Sequence, residues 1–251
     1  MESFTEKQKK ISNHDVNWAK HYDLYEVEFR ESYKTISKPQ NESHFELLKS
    51  KARDYLKKDK IFCEIGFSAG LTLRYAMPYF KTVYGLDISP KNVEFTSNEL
   101  KNEGYDNFEL NTFDLMKFDE RFEDSFDIIS FIHGLEHFSV NDYPLVLNNI
   151  KRYLKKNGIF TGALPYKNSF NFRICPSCEC LFEIDGHVSS HDLKSLRKIF
   201  EDNGFKIIWI DNYNLKYVMK QENIFKKCYR LLSYYFLKNH SANQIEYIIK
   251  K

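Results

Sequence analysis

Past residue 58 the chain alternates between two hydropathy patterns, and this alternation restricts the fold more than any other feature. Short apolar runs stand at Ile61–Ile65, Thr82–Ile88, Phe108–Thr112, Phe126–Ile132, Ile159–Leu164 and Lys206–Ile210. Between them, residues 69–80, 90–103, 140–155 and 190–204 carry helical spacing. Runs this short and this continuously apolar suit strands buried on both faces, and strands separated by helices build βαβ units. A mainly parallel sheet covered by helices follows. Ile245–Ile249 reads as a further strand, and residues 221–238, rich in Phe, Tyr and Leu, as a further helix.

Residues 1–57 follow another rule and read as helices with polar connections. Pro39 is expected to break them, and Phe45, Leu47, Leu48, Ala52 and Tyr55 give residues 43–57 a helical face. Helix borders are marked elsewhere. Ser89-Pro90 supplies a capping hydroxyl and a proline at the first helical position. Ser139 with Asp142 resembles a capping box, while Gly158 and Gly204 stand where helices need a left-handed residue to stop. Residues 165–189 match neither period and read as a loop insertion. The expected organisation is an N-terminal helical lid over 1–57 and a main domain over 58–251, with the insertion at about 165–189.

A length of 251 residues fits one such domain with additions. The 37 basic and 35 acidic residues leave a formal charge of +2, which gives no bulk argument for a nucleic-acid or anionic-membrane partner. No apolar run approaches the length of a membrane span, and the polar start Met1–Lys7 lacks the apolar core of a signal peptide. A cytoplasmic location is expected.

The first apolar run ends in Glu64-Ile65-Gly66-Phe67-Ser68-Ala69-Gly70 and enters a helix. A glycine-rich turn there lets the main chain approach a ligand closely. Dinucleotide enzymes space three glycines as G-x-G-x-x-G. Here Gly66 and Gly70 are four apart, with an acid two before the first. That spacing resembles the acid-x-G-x-G-x-G loop of class I methyltransferases that use S-adenosylmethionine, with Ser68 in place of the middle glycine. Val83–Ser89, Asn111–Leu115 and Phe126–Phe138 are similar to that family's second, third and fourth strand turns. The resemblance covers residues 58–212 and implies a Rossmann-like, doubly wound, seven-stranded α/β sheet with helices on both faces. It implies S-adenosyl-L-methionine as cofactor, held by Glu64, Gly66, Ser68, Gly70, Asp87, Asp114, Leu115 and His133. Asp87 would take the ribose hydroxyls and Asp114 the adenine amine. The N-terminal Trp18 and Tyr22 would fold over the cofactor.

The loop His133-Gly134-Leu135-Glu136-His137 lies, on this resemblance, beside the reacting end of the cofactor. His137, with Glu136, is the candidate general base, since imidazole titrates near neutral pH. The alternative for these two is loop-ordering hydrogen bonds alone. The same residues also spell an inverted zinc-hydrolase motif, H-x-x-E-H, which needs a helix; the preceding strand run and Gly134 argue against one. No Asp/Asn-Pro-Pro-aromatic tetrad follows the fourth strand, which argues against methylation of DNA base amines.

Three of the five cysteines fall together in Cys175-Pro176-Ser177-Cys178-Glu179-Cys180. A C-P-x-C turn presents two thiolates as a zinc knuckle does. The stretch is similar to an insertion of some methyltransferases and implies one structural zinc on Cys175, Cys178 and His187, with Cys180, Glu183 or His191 as fourth ligand. The expected function is methyl transfer to a small-molecule acceptor, with a sugar or glycan precursor as the resemblance-based choice. A non-catalytic binding module of the same fold is the alternative from another class.

Overall fold

A computed structural model of the chain describes residues 18–174, 176, 181–213 and 243–251. Helix α1 spans Trp18–Lys51, then β1 Ile61–Ile65, α2 Leu71–Ala76, β2 Thr82–Asp87, α3 Pro90–Asn102 and β3 Phe108–Thr112. They are followed by β4 Phe126–Ile132, α4 Tyr143–Tyr153, β5 Leu154–Pro165, β6 Phe172–Ile174 and β7 Leu181–Glu183. Helix α5 at Leu193–Asp202 leads to β8 at Lys206–Tyr213, and β9 is Gln244–Lys250.

Seven strands form one sheet in the order β3-β2-β1-β4-β5-β9-β8. Strands β1 to β5 pair in parallel, and β9 runs antiparallel to both β5 and β8. The strand order reverses between β1 and β4, where open α/β sheets hold their ligands. Successive residues of β1 face opposite layers. Phe62 joins Phe45, Leu48, Leu73 and Ile128 on one face, and Cys63 joins Ile129, Ile150 and Phe160 on the other. Both layers are dry, which is why these strands read as continuous apolar runs.

Helix α1 docks through charge as well as apolar contact. Arg30, itself buried, forks onto Glu99 of α3 with Nε–Oε1 and Nη2–Oε2 distances of 2.9 Å, and Nη2 also donates to Thr96 Oγ1 at 2.8 Å. Lys34 and Arg74 reach the same carboxylate at 2.8 and 3.1 Å.

The strand expectations hold to within one or two residues at most ends; β5 starts five residues early and β8 runs three longer. Ser89 Oγ accepts from Asn92 N as a cap should, and Gly204 is left-handed at φ 76°. Four readings need correction. Pro39 breaks nothing: the helix runs 34 residues through its position. Helix α4 begins at Tyr143, so Ser139 is no cap; its N–H and hydroxyl donate to Asp142 Oδ2 in the preceding turn. Asn157, not Gly158, is the left-handed residue, at φ 68°. Gly158 instead sits where a Cβ would lie 3.0 Å from the Lys155 carbonyl. The insertion is more than a loop, since β6 and β7 form an antiparallel hairpin and a bridge from Tyr166 to His191 closes its base. The expected helix at 221–238 lies outside the described residues.

Candidate active site

The glycine turn leaves β1 through three left-handed residues, Gly66 at φ 64°, Ser68 at 45° and Gly70 at 68°. A Cβ on Gly70 would stand 2.6 Å from Thr96 Cγ2, and one on Gly66 would stand 3.2 Å from the Phe131 ring. The turn folds onto the end of β2, where Ser68 N donates to Asp87 Oδ2 at 2.9 Å. Asp87 Oδ1 accepts from Ser89 N at 2.9 Å and from Asn92 Nδ2 at 3.1 Å. Burial raises its pKa against these bonds. Asp23 of α1 meets the same turn, accepting from Ser89 Oγ at 2.5 Å and Lys91 N at 3.1 Å.

Glu64, Gly66 and His133 line one cleft at the carboxyl ends of β1 and β4, together with Gln40, Asn41 and Ile132. Glu64 is buried, its Oε2 has no hydrogen-bond partner, and burial lifts its pKa well above the usual carboxylate range. Gln40 and Asn41 are contributions from α1 that no motif marks. Asn41 Oδ1 accepts from Thr72 Oγ1 at 2.6 Å, a partner 31 positions away that local sequence cannot indicate. Asp114 stands apart at the end of β3, half-buried, with Oδ1 accepting from Met116 N at 3.0 Å. The Leu115 side chain is buried beside it.

The loop after β4 is held from both sides. His133 is left-handed at φ 52°, and its N–H donates to the Ala163 carbonyl at 2.8 Å. A Cβ at Gly134 would fall 1.8 Å from Phe131 Cε2, so no side chain fits there. Leu135–His137 make a single 3₁₀ turn, which removes the helical face that the H-x-x-E-H hydrolase motif requires. Glu136 is fully buried. Its Oε1 lies 3.2 Å from His133 Nδ1 and 3.9 Å from His187 Nε2, and its Oε2 has no partner. Burial pushes the Glu136 pKa up, but His133 and His137 beside it bring it below the usual value.

The insertion reaches this loop. The Glu136 carbonyl accepts from Val188 N at 2.9 Å and Ser189 N at 3.1 Å, and His137 Nδ1 lies 3.0 Å from the Gly186 carbonyl. That contact makes Nδ1 the donor, so the imidazole lone pair is on Nε2. Burial lowers the His137 pKa, against the opposing pull of Glu136 and the Gly186 carbonyl. The His137 ring stands 5.2 Å from His187 and edge-on to Tyr22 of α1 at 6.3 Å.

Among the expected metal ligands, Cys175, Cys178 and Cys180 lie outside the described residues. Glu183 is spent on main chain, with Oε1 accepting from Asn171 N and Oε2 from Asp185 N and His187 N at 2.7 to 2.9 Å. His191 is buried with Nε2 2.7 Å from the Tyr143 hydroxyl. Among the described ones, His187 approaches Glu136, with Nε2 3.9 Å from Oε1.

A methyltransferase-domain family matches residues 40–209, which spans the glycine turn, both acids and the His133 loop. The chain belongs to this family. No curated protein sequence matches it. Among solved structures, the methyltransferase is similar to phosphoethanolamine N-methyltransferase 2 of Haemonchus contortus, crystallised with S-adenosyl-L-methionine. They share 15% identity at a TM-score of 0.58 over 84% of this chain, and the match spans 52% of the Haemonchus chain. It is similar to the YcgJ protein of Bacillus subtilis at 16% identity and a TM-score of 0.56, covering 83% of this chain and 97% of that one. A Haloferax volcanii chain crystallised with the Trm112 methyltransferase activator aligns over 91% of the methyltransferase and 96% of itself. Its identity is 15% and its TM-score 0.57. At these identities the structures speak for the fold; the family match speaks for methyl transfer.

Proposed function

We propose that the enzyme transfers a methyl group from S-adenosyl-L-methionine to a small-molecule acceptor, with a sugar or glycan precursor as the favoured class. The observation that carries the choice of cofactor is Glu64. A buried carboxyl with an unpartnered oxygen, facing a cleft, suits a cationic amino group and repels a dinucleotide's pyrophosphate. Gly66, Ser68 and Gly70 let the main chain come close. Asp87 accepts three bonds already, and a carboxylate has about four acceptor sites, so capacity for a ribose hydroxyl remains. Asp114 and Leu115 would border the adenine. When bound, the sulfonium supplies an electrophilic methyl group.

The remaining work falls to the chain's own residues. His133 Nδ1 donates to Glu136, which places the lone pair on Nε2; that nitrogen is buried, without a partner, on a residue lining the cleft. This supports reading His133, ahead of the expected His137, as the group that would accept a proton from the acceptor. Glu136 orients it, and His137 stands next to both on the insertion side. Helix α1 contributes Gln40 and Asn41 to the cleft and Tyr22 beside His137, which supports reading the N-terminal segment as a lid. Most of the rate in such a reaction comes from positioning.

The cysteine loop is read as a structural zinc site. Thiolates of Cys175 and Cys178 suit zinc; with Glu183 and His191 held by other partners and His187 near Glu136, Cys180 is the favoured further protein ligand. A cytoplasmic setting, where thiols stay reduced, would suit such a thiolate site. Among the described residues no helix is long and apolar enough to cross a membrane.

Calorimetry with S-adenosyl-L-methionine and with NADH tests the cofactor. The wild type should bind the former only, and Asp87→Ala and Glu64→Gln should each weaken it at least tenfold. Tight nicotinamide binding, or indifference to both substitutions, would overturn the reading.

A further inference from the structure

Glu136 Oε2 is the anchor. It is a carboxylate oxygen on a fully buried side chain, and it has no hydrogen-bond partner, an arrangement that costs free energy unless something binds there. Its other oxygen is already fixed by His133. Ligand atoms of Glu136, His137 and His187 all lie within 4.8 Å of one another.

From this arrangement we propose that Glu136, His137 and His187 form a divalent-cation site between the β4 loop and the insertion, made without the cysteines. The ion leaves positions open for an oxygen of the methyl acceptor.

The chemistry of the set fits. Two imidazoles and one carboxylate suit Mn²⁺, Fe²⁺, Co²⁺ or Zn²⁺ and leave coordination positions open. Ligating histidines commonly donate their other ring N–H to a carbonyl or amide, which sets the tautomer. His137 does so through Nδ1 to Gly186. His187 Nδ1 lies 3.2 Å from the Asn168 amide nitrogen, while Asn168 Oδ1 is buried without a partner. Exchanging the amide's O and N, an assignment made from hydrogen bonding, gives Oδ1 its donor. It also puts the His187 lone pair on Nε2, the nitrogen 3.9 Å from Glu136. Ligand bonds of about 2.0–2.2 Å require the three groups to draw together slightly on binding. A neighbouring group, Glu183, Asp185 and His187, shares one residue, but its glutamate is taken by three backbone amides.

The ion's use deepens the proposed function and rests on it: an acceptor hydroxyl on the ion ionises more readily and is held in place. This favours oxygen over carbon as the methylated atom. The test uses the full chain, freed of metal by chelation and titrated with Mn²⁺, with free Mn²⁺ read by electron paramagnetic resonance. Mn²⁺ prefers oxygen and nitrogen to thiolate, so it reports this site and not the cysteine loop. The wild type and Cys175→Ser/Cys178→Ser should each bind one equivalent. His137→Ala and Glu136→Gln should weaken binding at least tenfold, and Asp185→Asn should leave it unchanged. Should Glu136→Gln fail to fold, His137→Ala carries the test. No Mn²⁺ binding by wild type, loss with the cysteine pair or Asp185→Asn, or indifference to His137→Ala would overturn the site. S-adenosyl-L-methionine binding measured on the same samples separates the two readings. Cofactor binding without Mn²⁺ binding defeats the cation site alone; Mn²⁺ binding without cofactor binding defeats the proposed function.

Discussion

Replacing Glu99 with glutamine tests how the N-terminal helix is held. Glu99 joins three cations, Arg30, Lys34 and Arg74, within 2.8 to 3.1 Å. Burial alone would raise its pKa, yet Arg30 and Lys34 bring it from 4.5 down to about 2. At about 1.36 kcal/mol per tenfold change in proton affinity, a fall from 4.5 to about 2 corresponds to about 3.4 kcal/mol. The carboxylate is 29% exposed, so solvent screening reduces this to about 1–2 kcal/mol. The folded pKa lies below the unfolded one. The stabilisation is therefore complete above pH 4.5 and drains away as pH falls towards 2. Urea unfolding at pH 7 should show Glu99→Gln less stable by about 1–2 kcal/mol, and the gap should narrow by about 0.5–1 kcal/mol at pH 3.5. Because α1 carries Gln40 and Asn41 into the cleft, cofactor affinity should fall as well. Equal stabilities at pH 7, or a gap of constant size down to pH 3.5, would refute the argument.

Three further outcomes follow from the same geometry. Burial holds the Glu64 pKa well above the usual carboxylate value, and a bound ammonium would draw it back down. Cofactor binding should therefore release a proton and tighten as pH rises, and Glu64→Gln should abolish that slope in calorimetry across buffers. Gly134→Ala drives a methyl group into Phe131 and should cost about 1–3 kcal/mol in urea unfolding, with weaker cofactor binding; unchanged stability would mean the loop has room to yield. Ile248→Ala empties a fully buried position in β9 and should cost about 2–5 kcal/mol, measured the same way.

The sheet was legible because its strands are buried on both sides, as in β1 and β4, whose largely apolar runs are too short for a helix. Ser89 and Gly204 were legible because capping is a local matter. What escaped depends on distant partners. Pro39 looks like a stop, but its helix is fixed by contacts such as Arg30 with Glu99, 69 residues apart. The hairpin β6–β7 has three residues per strand, too few to show a period. Gly158 was assigned a turn that Asn157 makes, because a close approach to the Lys155 carbonyl leaves no trace in sequence. The histidine loop was visible as residue types. The approach of His187 from the insertion, 51 positions on, was not.

Strand β9 also has a temporal side. It sits between β5 and β8, pairing antiparallel with both, yet it follows both in the chain. Among the described residues β8 has no other strand neighbour in the large sheet. After Tyr213 emerges during synthesis, β8 must therefore wait for Gln244–Lys250 before its ladder can close. Until then the flank of β5 is an open edge exposing Phe160 and Leu164, which the finished protein buries completely. Assembly of this half of the sheet is thus deferred to a late, long-range pairing, the slow and aggregation-exposed kind of step. A nascent chain stalled before residue 244 should be the form of this protein most in need of a chaperone.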